Sequence, residues 1–457
     1  MTEHLVVIGG DAAGMSAASQ ARRRRGVDDL RITAFERGSF TSYSACGIPY
    51  WVGGEVAEQD ALIARTPEQH RANGIDLRLR TEVTEIDHAG RRVLTRQLET
   101  GTEQWTDYDQ LVVATGAEPV RPALPGFDAP GVHGVQTLDE GAALIDTLHE
   151  DVRTAVVVGG GYIGIEVAEA MLLRGLRVTL VHRSAEPMPA LDPDLGRLVR
   201  LGMDKLGIEV VPGAEAVEVL LGPDGRPRAV RSTVGEHPAD VVVLGLGVRP
   251  RTGLARAAGL TLGAHGGLLT DETMRVVGTD DVWAGGDCVE VLNLVSGAYQ
   301  HVALGTHANK HGLVIGTNLG GGRASFPGVV GTAITKVCDL EIARTGLNER
   351  EAAAAGLRWT AAVIESTAQA GYYPGATMMT VKMLAEQGTG RLLGVQIVGG
   401  AGSAKRIDVA AVALSCGLTV GQLISLDLAY APPFSPVWDP LLVAARKVAR
   451  LVGQGPS

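Results

Sequence analysis

Four cysteines occur in the chain, Cys46, Cys288, Cys338 and Cys416, and one of them stands where chemistry is expected. Cys46 lies in Ser42-Tyr43-Ser44-Ala45-Cys46-Gly47-Ile48-Pro49-Tyr50, with no second cysteine close enough in sequence to close a local disulfide. Its oxidised form is therefore expected to be a mixed disulfide with a small thiol or a sulfenic acid. The thiolate is the reactive form, and a proline early in a plausible helix start predicts that the helix dipole and free N–H groups lower the Cys46 pKa. Cys338 and Cys416 sit in apolar stretches and read as packing residues. Cysteines this far apart, without metal-type spacing, describe a reducing compartment, with the cytoplasm as the default.

The elements that must hold Cys46 are legible from glycine spacing. Leu5 to Ile8 is a short apolar run, followed by Gly9-Gly10-Asp11-Ala12-Ala13-Gly14 and an alanine-rich helical stretch to Arg25. This predicts strand, tight turn and helix, with a pyrophosphate at the helix N-terminus. One departure is plain: Asp11 replaces the middle glycine of the G-x-G-x-x-G pattern. The next strand, from Arg31, ends at Glu36 and Arg37, where a carboxylate accepts from ribose hydroxyls.

The pattern recurs without that departure in Ala155 to Val158, Gly159-Gly160-Gly161-Tyr162-Ile163-Gly164 and Glu166, with a helix to Arg174. Two such units imply two nucleotides. In the second, the strand Arg177 to Val181 ends in His182-Arg183-Ser184, without a carboxylate. An acid there favours a 2′-hydroxyl, whereas Arg183 with His182 and Ser184 suits a 2′-phosphate, so NADPH is favoured over NADH. Further strand–turn signals follow: Tyr108 to Ala114-Thr115-Gly116, Asp281 to Asp287, and Asp240 to Pro250 with Gly247 in its turn. Asp287 is placed to accept from a polyol, and the last segment returns the chain from the second nucleotide unit to the first.

Composition sets the outer limits. At 457 residues the chain exceeds one core and suits two or three domains. Its 61 glycines, 4% aromatic residues and 45% apolar residues fit a globular protein rich in turns and nucleotide loops. A net charge of -10 argues against a nucleic-acid surface. The apolar run at Leu5 lacks a positive flank and is broken by Asp11, while Ala155 to Leu173 holds Glu166, Glu169 and consecutive glycines, so neither reads as a signal peptide or a membrane span.

On these residues the chain resembles the single-cysteine class of pyridine nucleotide-disulfide oxidoreductases, closest to the coenzyme A-disulfide reductases, over nearly its whole length. The resemblance implies an α/β protein with two nested Rossmann-like dinucleotide-binding domains and a C-terminal α+β dimerisation domain. The expected divisions are 1–118 and 242–325 for an FAD-binding domain, 119–241 for an NAD(P)H-binding domain, and 326–457 for the interface domain. A helix from His301 to Leu319 is expected to run under the flavin, with Cys288 packed nearby. Since the chain stops at Ser457, no rhodanese-like extension is expected. Carried over residue by residue, Cys46 matches the redox thiol and Tyr430 an active-site tyrosine supplied by the partner subunit. A second tyrosine falls at Tyr372 or Tyr373. Gln20 and Arg23 match contacts to coenzyme A phosphates, and Ser42 matches a serine four residues before the thiol. Two departures matter: Ala45 stands where the family often has asparagine, and Ala12 where its peroxidases have histidine.

The function so implied is an NADPH-dependent FAD enzyme, homodimeric, that reduces coenzyme A disulfide through a Cys46–S–S–CoA intermediate. Alternatives are an NAD(P)H oxidase or peroxidase cycling through a Cys46 sulfenate, a quinone or polysulfide reductase, and a slow redox-sensing flavoprotein. His301, His307 and His311, read as a stripe on one helix, lack the partners of a metal site.

Overall fold

A computed structural model describes residues 2–453. Residue 1 and residues 454–457, at the outer ends of the expected domains 1–118 and 326–457, lie outside the described residues. The first sheet is parallel, in the order Val282–Ala284, Gln110–Val113, Glu3–Ile8, Leu30–Phe35, Asp76–Arg78. Leu5, Val6 and Val7 are fully buried because both faces of such a sheet are covered, which is why the sequence shows a continuous apolar run rather than alternation. The helix Ala12–Arg24 packs on the helix Gly305–Leu319 through glycines. A Cβ at Gly316 would come within 2.6 Å of the Gln20 Cβ, so only a bare backbone lets the two helices approach this closely.

The second parallel sheet runs Glu209–Val211, Arg177–Val181, Thr154–Val158, Val241–Leu244, Val132–His133. Val241–Leu244 lies fully inside this sheet, so the expected boundary between 241 and 242 cuts a strand. The crossing is made by Ala117–Pro119 and Val248–Pro250, antiparallel partners that carry the chain out of the first unit and back again. The helix expected from His301 begins at Gly305. His301 belongs instead to the short strand Tyr299–His301, and its ring Nε2 meets the Asp287 carbonyl oxygen at 2.7 Å, so it cannot share a helical stripe with His307 and His311.

The C-terminal domain is one antiparallel sheet, Ala333–Val337, Leu340–Gly346, Leu392–Gly399, Met378–Glu386, Trp359–Thr367, backed by the helices Ile407–Ser415 and Pro440–Val452. Ion pairs join it to the second unit: Lys382 Nζ lies 3.1 Å from Asp192 and 3.0 Å from Asp194, with Glu349 of its own domain at 3.1 Å. Lys382 and Asp192 are both buried, so this pair is shielded from water and anchors the loop that follows His182-Arg183-Ser184, while Asp194 and Glu349 reach the lysine from the exposed side. Among the described residues no helix is long and apolar enough to cross a membrane.

Candidate active site

Cys46 sits in a short 3-10 turn, Ala45–Gly47, leading into the helix Ile48–Gly53. The preceding loop is fastened on three sides. Thr41 donates its hydroxyl to the Gly10 carbonyl, Tyr43 N–H donates to the Asp11 carboxylate at 3.2 Å, and Ser42 Oγ lies 2.9 Å from His70 Nε2. Ser42 has a left-handed backbone (φ 49), a strained conformation for serine, and the buried His70 holds it there. Behind the thiol, Ile48 and Trp51 are buried, and Arg174 of the second unit donates to the Val52 carbonyl at 2.6 Å, so the thiol helix is docked on the helix Tyr162–Leu173.

Cys46 is exposed, yet the surrounding protein partly desolvates its thiol. That burial pushes its pKa up, and the carboxylates of Glu166 and Asp287 push it the same way. This corrects the expectation of a lowered pKa. The helix that follows has only six residues and starts two positions past the sulfur, too short and too late to outweigh two carboxylates. Glu166 is held from the C-terminal domain by the Thr335 hydroxyl at 2.8 Å, and burial raises it above the usual carboxylate range. One turn further on, buried Glu169 pairs with Lys336 at 3.0 Å and accepts from Cys338 N–H at 2.8 Å. Three domains thus converge on Cys46. Thr335, Lys336 and His70 carried no sequence signal, because each acts through a residue far away along the chain.

Both dinucleotide loops have the form of a cradle. Gly9 (φ 105) lies so close to the Ala114 carbonyl oxygen that any Cβ would strike it, and one at Gly14 would strike the Gly9 carbonyl oxygen. The same relation recurs between Gly164 and Gly159. In the first loop, Glu36 accepts from Gly10 N at 2.7 Å and Gly38 N at 2.6 Å, which fixes the carboxylate for ribose hydroxyls. Thr115 Oγ1 donates to the Arg251 carbonyl at 2.6 Å, closing the Ala114-Thr115-Gly116 turn, while Arg37 points outward toward Glu82 at 3.8 Å. Asp287 is crowded enough for burial to raise its pKa. These residues fit FAD. At the second loop, the Tyr162 hydroxyl and His182 Nε2 are buried with no protein partner, and Ile163 and Gly247 line one small cleft. They fit a nicotinamide dinucleotide. Arg183 is exposed and Ser184 half-buried, but His182 is buried beneath Gly160 and burial lowers its pKa. The expected share of His182 in pairing with a phosphate is therefore corrected, because burial disfavours the charged ring and takes it away from the exposed turn.

The structure does not bring every expected residue to the thiol. Gln20 is half-buried and Arg23 exposed on the first helix; Gln20 donates to Thr317 at 3.0 Å and accepts from Arg23 at 3.3 Å. Tyr372, Tyr373 and Tyr430 are 78%, 38% and 48% exposed on the C-terminal domain, and no hydrogen bond among the described residues joins them to the thiol loop. Tyr430 is raised above the usual phenol value by desolvation and by Tyr372 beside it, so Tyr372 rather than Tyr373 neighbours Tyr430. Arg406, missed in sequence, organises this face: it pairs with Asp439 at 3.2 Å and donates to the Ala368 and Phe434 carbonyls.

Residues 3–302 match the family described as pyridine nucleotide-disulphide oxidoreductase, and residues 332–441 match its dimerisation domain. The chain is 38% identical to an NAD(P)H coenzyme A polysulfide/persulfide reductase of Pyrococcus horikoshii, over 98% of each chain. In structure it is similar to an NAD-dependent persulfide reductase from A. fulgidus, with a TM-score of 0.95 and 40% identity, covering 98% of this chain and 83% of that one. It is also similar, at TM-score 0.93 and 25% identity over 99% of both chains, to an engineered water-forming NADPH oxidase bound to NADPH. That oxidase derives from a Lactobacillus brevis NADH oxidase, with consecutive aspartate, alanine and methionine changed to alanine, arginine and serine.

Proposed function

Because the chain belongs to the pyridine nucleotide-disulphide oxidoreductase family, we propose that it is an NADPH-dependent enzyme reducing coenzyme A disulfide through Cys46. The observation that carries this reading is a lone, exposed thiol that feels Glu166 from the second dinucleotide unit and Asp287 from the first, with the other three cysteines outside its loop. The chemistry FAD supplies when bound is two-electron exchange between a nicotinamide hydride and a sulfur–sulfur bond. Gly9, Gly14, Glu36, Thr115 and Asp287 would hold it, and Gly159, Gly164, Tyr162 and Arg183 would hold NADPH.

The chain's own part is thiol–disulfide exchange. Cys46 thiolate attacks one sulfur of the substrate, forms Cys46–S–S–CoA and expels the first thiol, which takes a proton from Tyr430 of the partner subunit. Two electrons and a proton then cleave the mixed disulfide, freeing the second thiol and restoring Cys46. Gln20, Arg23 and Ser42 serve the substrate in this reading. Since Glu166 and Asp287 oppose ionisation of Cys46, an oxidised flavin held beside it would help the thiolate by accepting charge.

For the nicotinamide, support comes from charge. The NADPH-bound oxidase has lost an aspartate and gained arginine followed by serine, and this chain reads His182-Arg183-Ser184 after its strand. The persulfide reductase of A. fulgidus and the coenzyme A polysulfide/persulfide reductase of P. horikoshii favour a second reading in which the substrate is a persulfide, that of coenzyme A by the latter's name. Cys46 would then take one sulfur atom and release it, after reduction, as hydrogen sulfide. Intact mass under non-reducing conditions, before and after dithiothreitol, tests both. A reversible adduct of coenzyme A mass at Cys46 is expected, one extra sulfur would favour the persulfide, and one extra oxygen would overturn both in favour of a sulfenate.

A further inference from the structure

We propose that Asp11 is a proton-carrying staple, which ties the thiol loop to the first glycine loop through Tyr43 N–H and takes up a proton when FAD binds. This rests on the FAD reading above. Asp11 occupies the motif position where a glycine normally leaves the helix N-terminus open to a pyrophosphate. It stands at the N-cap of Ala12–Arg24 with extended backbone (φ -118, ψ -151), yet its side chain caps none of that helix's N–H groups. An aspartate at an N-cap ordinarily does so. Here Oδ1 turns away and accepts from Tyr43 N at 3.2 Å, three residues before Cys46. Apart from a weaker pull from Ala12 N–H, the first turn of the helix is left for an anion, and the carboxyl's one well-formed hydrogen bond goes to the thiol loop.

The surroundings decide its protonation. Glu36 faces Asp11 from the strand Leu30–Phe35 and Asp287 from the turn after Val282–Ala284, and both carboxylates raise it. The thiol loop presents the Tyr43 phenol, itself raised by burial and by Asp11. His311, on the helix beneath, is held neutral by burial with a pKa of about 3 and lends no positive charge. Burial, the largest cause, and these carboxylates bring Asp11 to about 7 against the opposing pull of Tyr43 N–H and, more weakly, Ala12 N–H. A pyrophosphate at the same loop adds negative charge and removes water, and both changes favour the protonated acid further. A group whose pKa rises on binding makes affinity fall as pH climbs above its free value.

Glycine at this position would carry no such linkage, so the substitution couples flavin retention and the seating of Cys46 to proton concentration. Asp11→Asn keeps an acceptor for Tyr43 N–H and removes the proton site, whereas Asp11→Gly restores the motif and removes both. The test dilutes holoenzyme at fixed ionic strength between about pH 6 and 8.5 and reads released FAD by fluorescence. Wild-type affinity should weaken above neutrality by up to about tenfold per pH unit, and both variants should be nearly level. Alkylation of the Cys46 peptide by iodoacetamide, followed by mass spectrometry, should quicken in Asp11→Gly and stay as wild type in Asp11→Asn. A pH-independent wild-type affinity, the same slope in Asp11→Asn, or equal alkylation in the two variants overturns the staple. Failure to hold FAD at any pH, in wild type and variants alike, overturns the FAD reading instead.

Discussion

Replacing Arg183 with glutamate should invert the cofactor preference, and its size follows from burial at one strand end. Of His182-Arg183-Ser184, the histidine is buried and its pKa lowered, so Arg183 is the only cation in the turn. A hydrogen bond to a charged group contributes about 1.5–3 kcal/mol, and the exposure of Arg183 places it near the lower end. Glutamate also adds repulsion against a 2′-phosphate, about 1 kcal/mol for unit charges 4 Å apart in water and up to about twice that for a dianion. The sum is about 3 kcal/mol, or roughly a hundredfold in kcat/KM for NADPH. NADH lacks the phosphate and should change little. Steady-state kcat/KM for both nucleotides at low and high salt checks this, since the repulsive part shrinks as the Debye length falls from about 10 Å at 0.1 M to about 3 Å at 1 M. His182→Gln is the control and should leave the NADPH-to-NADH ratio near wild type. If Arg183→Glu leaves that ratio unchanged, or His182→Gln shifts it as much, the reasoning from burial to charge is refuted.

Tyr430→Phe should slow release of the first thiol by about a hundredfold, the scale of one general acid, while reduction of the oxidised enzyme by NADPH is unaffected. Separate stopped-flow half-reactions would expose the error if both steps or neither responded. His311 carries a prediction for acid stability. Its folded pKa of about 3 lies below the 6.5 of an unperturbed imidazole, so stability is whole above pH 6.5 and drains as pH falls toward 3. By pH 5 the loss is about 2 kcal/mol. His311→Asn, which keeps an acceptor for Gly286 N–H, should lose correspondingly less; urea unfolding of the flavin domain at pH 7 and pH 5 measures the difference.

Much of the site was legible because glycine spacing is a local property. A bare backbone at Gly9 and Gly159 is demanded by carbonyls that any Cβ would strike, and the same glycines mark the motif in the sequence. Cys46 stood out for a similar reason, being short of a nearby partner. Where the reading went astray, the deciding neighbour lay far away in the chain. The thiol pKa was expected to fall because only its own helix was visible, and Glu166 and Asp287 reverse the sign. His182 read as a partner for a 2′-phosphate beside Arg183, but its ring is buried against Gly160. His301 looked helical by continuity, but pairing with Glu290 drew it into a strand.

The amino-acid order alone determined two dinucleotide cradles, a thiol without a local partner and a third domain, because turns, strands and helices answer to sterics within a few residues. Tertiary structure decided which charges face that thiol, which tyrosine stands beside Tyr430, and that Asp11 holds the thiol loop instead of capping its helix. Electrostatic energy depends on distance and on the water removed between groups. Both are set only when segments remote in sequence pack together.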